Sequence, residues 1–315
     1  MADYCISVSD LHMNYGNFAA VDGVTFNVDY GRVFGFLGPN GAGKTTTIKV
    51  LTTLVHPTFG AVNIFGKDVV KHAQEIKKRI GVVLQEPSFE GNVTVERALD
   101  LYGMMWGVPG EKRRDKAREL LDKFDLQEFR GKKNDELSIG QRRRVQVARE
   151  FMHDVDLLFL DEPTVGLDPA ARRTLLDYVK KHVSGGLTVF FTTHIMEEVE
   201  YLCDEIAIIN KGRMMAIDTP AGLKQMYGGI KALEIKLKGT AQSVMDIVKP
   251  IAGGSTIEVP AEDTIRISSQ NAQELLVKLI EALAKNSVQI ESVSVNPPTF
   301  EEVFLTVVNN SGNKA

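Results

Sequence analysis

The sequence predicts an α/β fold in its larger N-terminal part and a small α+β domain at its C-terminal end. Two observations predict the α/β part. A glycine-rich loop separates an apolar strand from a helical pattern, and later apolar runs end in clusters of polar residues. The second domain is predicted because the pattern changes after Gly228-Gly229. We therefore expect domains at 1–228 and 229–315, which agrees with the prior of about two domains for this length.

The glycine-rich loop, Gly38–Thr46, reads G-P-N-G-A-G-K-T-T. It has the spacing of a phosphate-binding loop, in which glycines bring backbone N–H groups close to an anion. In this pattern Lys44 pairs with the β- and γ-phosphates, and the Thr45 hydroxyl ligates Mg²⁺. The loop residues expected to contact nucleotide are Gly38, Asn40, Gly41, Ala42, Gly43, Lys44, Thr45 and Thr46.

The surroundings of the loop support this interpretation over a chance glycine-rich turn. Arg32–Leu37 contains an apolar run typical of a buried strand, and Ile48, Leu51 and Val55 recur at helical spacing. The loop therefore lies between a strand and a helix N-terminus, whose dipole favours an anion.

Composition restricts the class of protein. With 43% hydrophobic and 25% charged residues, the chain is typical of globular proteins, and its net charge of −4 disfavours a general nucleic-acid binder. Cys5 and Cys203 are interpreted as reduced thiols. The sequence has neither a secretory signal nor an apolar run of the ~18–20 residues that span a bilayer, so we expect a soluble, intracellular chain.

Residues 4–34 are predicted to form short strands, with Tyr15 in the loop between the first two. An aromatic ring there can stack on a nucleotide base or simply pack on the surface, and Phe18 competes for the same role. A strand at Ala61–Phe65, a charged helix at Asp68–Arg79 and an apolar strand at Ile80–Leu84 are expected next. The last strand ends at Gln85, which can reach a metal or a water, or can be an ordinary polar strand end.

The segment from Thr94 to about Arg149 is predicted to be helical. Its run Arg142–Arg144, together with Arg149, could bind nucleic acid or lipid headgroups, but we favour a solvated helix face.

Two further apolar runs end in polar residues. Leu157–Leu160 predicts a parallel strand covered on both faces, and it delivers Asp161 and Glu162 at its carboxyl end, where open α/β sheets bind ligands. One of these acids can hold Mg²⁺ and the other can orient a water. Val189–Phe191 likewise precedes Thr192, Thr193 and His194.

Taken in order, these segments resemble the ATP-binding cassette of ABC transporters over roughly residues 4–225, with a helical subdomain inserted at about 88–150. The P-loop of the family matches Gly38–Thr46, its Q-loop matches Gln85, and its signature matches Leu137–Gln141. Its Walker B motif matches Leu157–Glu162, its D-loop matches Gly166–Asp168, and its switch histidine matches His194. Tyr15 lies where the family has its adenine-stacking aromatic residue.

The resemblance implies ATP as substrate, Mg²⁺ as cofactor and ATP hydrolysis as the activity. It implies that Lys44, Gln85, Glu162 and His194 are the catalytic set, and that Thr45, Gln85 and Asp161 hold the metal. It also implies that Ser138, Gly140 and Gln141 bind ATP held by a second copy of the cassette. The signature departs from the usual L-S-G-G-Q, because Ile139 replaces its first glycine. Ile139 retains its N–H, and we expect negative φ and near-normal function.

Three segments narrow the resemblance to the daunorubicin-resistance type of export ATPase subunit: Pro163–Pro169, Thr193–Glu198 and Asn296–Leu305. This resemblance implies a homodimer of cassettes that powers multidrug export through a separate transmembrane permease at the cytoplasmic face of the cell membrane. No specific nucleic acid is expected. The alternatives are a cassette ATPase acting on DNA or ribosomes, and a non-hydrolysing regulatory module.

The C-terminal region has the strand and helix order βαββαβ, which suggests a ferredoxin-like module followed by a short helix after Pro298. It contains no catalytic constellation. We interpret it as a docking or dimerising domain, with a regulatory small-ligand site as the alternative.

Overall fold

The computed structural model describes residues 3–85, 90–227, 231–269, 271–296 and 298–310. The chain divides into two compact units, Met1–Pro220 and Ala221–Ala315. The predicted boundary at Gly228-Gly229 lies outside the described residues.

The first unit contains strands and helices in alternation, as predicted. Its strands are β1 (Ile6–Tyr15), β2 (Phe18–Val28), β3 (Val33–Leu37), β4 (Phe59–Ile64), β5 (Lys67–Asp68), β6 (Ile80–Val83), β7 (Leu157–Asp161), β8 (Thr188–Thr192), β9 (Glu205–Asn210) and β10 (Arg213–Asp218). Its helices are α1 (Lys44–Leu51), α2 (Ala73–Lys77), α3 (Val95–Met105), α4 (Gly110–Lys123), α5 (Ile139–Glu150), α6 (Pro169–Val183) and α7 (Met196–Leu202).

Within the described residues, six strands form the central sheet in the order β10-β9-β3-β8-β7-β6. Strands β9, β3, β8, β7 and β6 pair in parallel, so their carboxyl ends meet at one edge. Every residue of β3, β7 and β8 is buried, which confirms the prediction from their continuous apolar runs. The core includes Phe34, Phe36, Phe159 and Phe190, and each such ring contributes about 1.5–3 kcal/mol by burial.

A second sheet, in the order β2-β1-β4-β5, is built on the β1–β2 hairpin. Tyr15 is the last residue of β1 and pairs with Phe18, so it is not in the loop where the sequence placed it. Both rings are accessible, with 47% of Tyr15 and 65% of Phe18 exposed.

The predicted helix at Asp68–Arg79 is wrong over much of its length, because only Ala73–Lys77 is helical. The Asp68 carboxylate accepts hydrogen bonds from the backbone N–H groups of Val70 and Lys71. Such a local turn competes with the first turn of a helix and delays it.

The segment after Thr94 forms the predicted helical subdomain from α3, α4 and α5. Thr94 caps α3 by accepting the N–H of Arg97. Ser138 and Gln141 form a reciprocal capping box at the start of α5, which fixes where this helix begins.

The second unit has the predicted ferredoxin-like topology. Its elements are α8 (Pro220–Tyr227), β11 (Lys231–Leu237), α9 (Met245–Ala252), β12 (Thr256–Ala261), β13 (Thr264–Ser269), α10 (Ala272–Lys285), β14 (Ile290–Asn296) and α11 (Phe300–Asn310), where α8 begins on the last residue of the first unit. The described strands form an antiparallel sheet in the order β12-β13-β11-β14. Its apolar face packs against the stripes of α9 and α10.

Candidate active site

The loop after β3 is shaped by close backbone packing. Gly43, at the N-terminus of α1, has φ of +107°, and a Cβ there would lie 2.5 Å from the Ala20 carbonyl oxygen. A Cβ on Gly38 would lie 2.3 Å from the Ile209 carbonyl oxygen. Side chains are therefore excluded at both positions. No side chain caps α1, so its first backbone N–H groups are available to an anion.

The Lys44 ammonium group folds back over this loop. Its Nζ donates to the carbonyl oxygens of Gly38 at 2.7 Å and Pro39 at 3.2 Å. Burial lowers the pKa of Lys44, and the nearby carboxylates of Glu162 and Asp161 oppose that shift. The remaining predicted contacts of the loop vary in exposure: Asn40, Gly41 and Thr45 are exposed, Thr46 is half-buried and Ala42 is buried.

Asp161, the last residue of β7, presents an unusual buried carboxylate. The residue is only 2% exposed, and its Oδ1 accepts a hydrogen bond from Thr192 Oγ1 at 2.5 Å. Its Oδ2 is buried and has no hydrogen-bond partner among the described residues. Burial raises the pKa of this carboxyl group. An unpaired buried carboxylate oxygen is costly by itself, so the position fits a bound cation.

The donor set suits Mg²⁺ in kind and number. Asp161, the Thr45 hydroxyl and the Gln85 amide offer oxygen ligands, which Mg²⁺ prefers. Among the described residues no cluster of three or more His, Cys, Asp or Glu side chains could hold a metal. This sparse set fits an ion that keeps several waters and binds substrate phosphates.

Glu162 is held in a strained conformation at the carboxyl edge of the sheet. Its φ is +49°, which costs a non-glycine residue about 1–3 kcal/mol. Its N–H donates to the Thr192 carbonyl oxygen at 3.0 Å and to Thr192 Oγ1 at 3.1 Å. Gln85 Nε2 donates to Glu162 Oε2 at 3.4 Å, and His194 Nδ1 lies 3.5 Å from the same oxygen. The structure thus brings the predicted residues Gln85, Glu162 and His194 together.

Sequence reasoning assigned no role to Thr192, although it joins Asp161 to Glu162 through one hydroxyl. The sequence did contain an indication of this role. Thr192 ends an apolar strand, and a second apolar strand ends in Asp161 and Glu162, so the threonine hydroxyl is placed to form hydrogen bonds with these acidic residues.

The predicted solvated face at Arg142–Arg144 and Arg149 is wrong for three of its guanidinium groups. The Arg149 side chain is 12% exposed and pairs with the buried carboxylate of Glu150. Arg143 is 5% exposed and donates to four backbone carbonyl groups. Arg144 donates to the carbonyl oxygens of Phe124 and Asp125. The charges of Arg143 and Arg144 are buried because α5 packs these arginine side chains against backbone carbonyl oxygens of neighbouring segments, which accept their hydrogen bonds.

The signature segment lies at the N-terminus of α5. Ser138 Oγ accepts the N–H of Gln141 at 3.2 Å, and Gln141 Oε1 accepts the N–H of Ser138 at 2.9 Å. Ile139 is the first residue of α5 and is not among the described residues with positive φ, as expected. Its side chain is 67% exposed. A Cβ on Gly140 would lie 2.7 Å from the Gly166 carbonyl oxygen, which explains the glycine there.

In the part of the chain that the structure describes, no hydrogen bond or ion pair joins Ser138, Gly140 or Gln141 to the loop at Gly38–Thr46.

A phosphate-binding loop, an acidic strand end and an inserted helical subdomain define a P-loop ATPase. Comparison with known families agrees, since the family described as ABC transporter matches residues 21–165. A family described as an AAA domain (putative AbiEii toxin, Type IV TA system) matches residues 133–200.

Relatives extend the match to nearly the whole chain. The daunorubicin resistance ATP-binding protein DrrA3 of Streptomyces coeruleorubidus is 35% identical over 97% of this chain and 96% of its own length. The Nod factor export ATP-binding protein I of Ralstonia nicotianae is 34% identical over 95% of this chain and 92% of its own. A solved structure, the dimeric bacterial ABC transporter cassette MJ0796, is 25% identical with a TM-score of 0.64, covering 68% of this chain and 98% of that one.

This chain belongs to the ATP-binding proteins of ABC transporters, and it binds and hydrolyses ATP. Across the residues described, no helix has the length and apolar character needed to cross a membrane.

Proposed function

We propose that this chain powers an exporter: two copies close on ATP, hydrolysis separates them, and a separate permease carries the cargo across the membrane. The relatives that support this proposal include proteins of daunorubicin resistance and of Nod factor export. The chain then works at the cytoplasmic face of the cell membrane, where ATP is available.

Each copy binds nucleotide through the loop at Gly38–Thr46. The first N–H groups of α1 and the Lys44 ammonium hold the β- and γ-phosphates. The Tyr15 ring, exposed at the tip of the hairpin, stacks on the adenine. Thr45, Gln85 and Asp161 would hold Mg²⁺ through their oxygen atoms. When bound, the ion neutralises charge on the phosphate oxygens.

The observation that carries the proposal is the convergence of Gln85, Glu162 and His194 at one carboxylate oxygen. Glu162 orients the attacking water and accepts its proton. His194, with a largely exposed side chain, contacts the γ-phosphate. Phosphoryl transfer depends mostly on positioning and electrostatics. Glu162 therefore contributes to catalysis mainly by holding its carboxylate in a fixed position.

Dimerisation is proposed because the resemblance to ABC cassettes implies that Ser138, Gly140 and Gln141 bind ATP held by a second copy. Ser138, Gly140 and Gln141 lie at the tip of α5 and make no bond to the phosphate loop of their own chain within the described residues. In the proposed dimer this tip binds the γ-phosphate on the second copy. The dimeric state of the MJ0796 cassette supports this arrangement.

The permease is proposed to dock near Gln85. A cleft of about 290 Å³, lined mainly by apolar groups that include Leu54, Val82, Leu84 and Trp106, opens between β6 and α3. Leu84 precedes Gln85 directly, so an apolar segment of the permease bound there would act on the catalytic edge. The second unit, from Ala221 onward, is proposed to be a docking or dimerising module.

A nucleic-acid machine is the second candidate, and the burial of Arg143 and Arg144 weakens it. The two guanidinium groups that suggested phosphate binding donate to backbone carbonyl oxygens instead. Filter binding with DNA and ribosomal RNA should show no specific retention.

Phosphate release from Mg-ATP tests the proposed roles. Glu162→Gln should lower turnover by about 10²–10³-fold while ATP affinity is retained, because it removes one preorganised group. Lys44→Ala should lose nucleotide affinity, whereas Lys49→Ala, an exposed lysine later in the same helix, should not. Unchanged turnover in Glu162→Gln would refute the proposed role of that carboxylate.

A further inference from the structure

Arg143 connects the helical subdomain to the catalytic edge of the sheet. Its Nη2 donates to the carbonyl oxygens of Asp161 at 2.7 Å and Glu162 at 2.5 Å. Its Nε donates to the Pro163 carbonyl oxygen at 3.1 Å, and its Nη1 donates to the Leu84 carbonyl oxygen at 2.6 Å. One side chain thus bonds the ends of β6 and β7 to helix α5.

The chemistry of these contacts requires a guanidinium group. Arginine presents five donors in a rigid planar fork, whereas lysine has a single ammonium point. Gln146 Oε1 accepts a further hydrogen bond from Arg143 Nη1 at 2.7 Å. Burial lowers the pKa of Arg143 to about 10, so the group remains charged at neutral pH.

Because the backbone of Glu162 is strained, the hydrogen bonds from Arg143 are needed to hold it in this conformation. A residue with positive φ persists only when its surroundings hold it in place. The Glu162 N–H is held by Thr192, and its carbonyl oxygen is held by Arg143. The backbone on both sides of the Glu162 side chain is therefore fixed, one side from β8 and the other from α5.

We propose that Arg143 is a positioning residue for Glu162. Arg143 holds the strained backbone of Glu162 and so orients its carboxylate, and it couples this orientation to the position of α5. Helix α5 begins next to Ser138, so a displacement of its tip would be transmitted along a rigid helical segment to Arg143. The inference rests on the proposed role of Glu162 in activating water.

This arrangement predicts a specific kinetic pattern. Within the described residues, no hydrogen bond or ion pair joins Arg143 to the loop at Gly38–Thr46, so we expect its loss to leave the nucleotide contacts of Lys44 unchanged. Without Arg143, the Glu162 carboxylate is no longer held in its orientation toward the attacking water. A misplacement of about 1 Å can cost about 10²-fold in rate, so turnover falls while the affinity for ATP stays the same.

The experiment compares Arg143→Gln and Arg143→Lys with the matched control Arg144→Gln, in the full chain. Arg144 lies on the same helix and is also largely buried, but it bonds Phe124 and Asp125, away from Glu162. Turnover, ATP affinity and thermal unfolding are measured for each variant. We expect turnover in both Arg143 variants to fall about 10–100-fold with ATP affinity unchanged, and Arg144→Gln to keep wild-type turnover.

A double variant separates positioning from general damage. In the Glu162→Gln background, Arg143→Lys should cause little further loss of turnover, because the group it aims is absent. An equal fold-loss in both backgrounds would overturn the inference, as would wild-type turnover in Arg143→Lys or a loss of ATP affinity that parallels the loss of turnover. If Glu162→Gln itself retained wild-type turnover, the proposed function of Glu162 would fail first, whatever the Arg143 variants did.

Discussion

The hydroxyl of Thr192 donates to Asp161 Oδ1 at 2.5 Å and accepts the backbone N–H of Glu162 at 3.1 Å. One side chain at the end of β8 therefore orients the proposed metal-binding carboxylate and supports the strained residue that follows it. The second oxygen of this carboxylate, Oδ2, is buried and has no hydrogen-bond partner among the described residues.

Thr192→Val should lower the affinity of the ATPase for Mg²⁺ and move the pH at which that affinity is lost to a higher value. Burial raises the pKa of Asp161, and the hydrogen bond from Thr192 opposes that rise. Metal binding requires the deprotonated carboxylate, so Mg²⁺ affinity is lost as pH falls through the raised pKa. Removing the hydroxyl raises this pKa further, so the valine variant loses affinity at a higher pH. The measurement is the Mg²⁺ concentration for half-maximal phosphate release, taken from pH 5 to 8.

Thr192→Ser is the matched control, because it keeps the hydroxyl and should keep the wild-type profile. The lost hydrogen bond to a charged group should also cost about 1.5–3 kcal/mol of folding free energy at neutral pH in the valine variant. Identical pH profiles for valine and serine would contradict this account of Asp161.

Gly43→Ala and Gly41→Ala should differ sharply, although both glycines have positive φ. The φ is +107° at Gly43 and +77° at Gly41, but only at Gly43 would a Cβ approach backbone, 2.5 Å from the Ala20 carbonyl oxygen. Gly41 has open space around it. We expect Gly41→Ala to cost about 1–2 kcal/mol of stability from strain, and Gly43→Ala to cost more and to abolish ATP binding. Chemical denaturation with an ATP titration checks both, and equal losses would argue against the packing described for the loop.

Ile139→Gly, which restores the usual signature, should change little. Ile139 is exposed and helical, and its N–H is retained in either residue. Stability should fall by no more than about 1 kcal/mol, from helix propensity, and turnover should stay within about threefold, or about 0.7 kcal/mol of barrier. A tenfold gain in turnover would mean that the isoleucine side chain obstructs the site, contrary to this account.

Much of the fold follows from the sequence because its signals are local. The apolar runs Val33–Leu37, Leu157–Leu160 and Val189–Phe191 contain no polar side chain that could face water, so both faces of the sheet had to be covered. The residues that follow β3, β7 and β8 then meet at one edge. The ferredoxin-like order of the second unit likewise follows from clear changes between alternating and helical patterns.

Arg143 could not be assigned in this way. A charged run on a helix is usually solvated, and only the packing of α5 against the ends of β6 and β7 makes Arg143 a buried donor to carbonyl oxygens. The helix predicted at Asp68 failed for a similar reason, since its carboxylate formed a local turn that competed with the helix. In each case a side-chain-to-backbone bond decided the outcome, and helical spacing carries no information about such bonds.

The most direct test of the central claim is the oligomeric state of Glu162→Gln by light scattering at saturating Mg-ATP. Because hydrolysis is blocked while the loop at Gly38–Thr46 and the tip at Ser138 are intact, the account predicts twice the monomer mass with ATP and the monomer mass with ADP. A monomer in saturating ATP, with nucleotide binding verified in the same sample, would contradict the claim that two copies close on ATP.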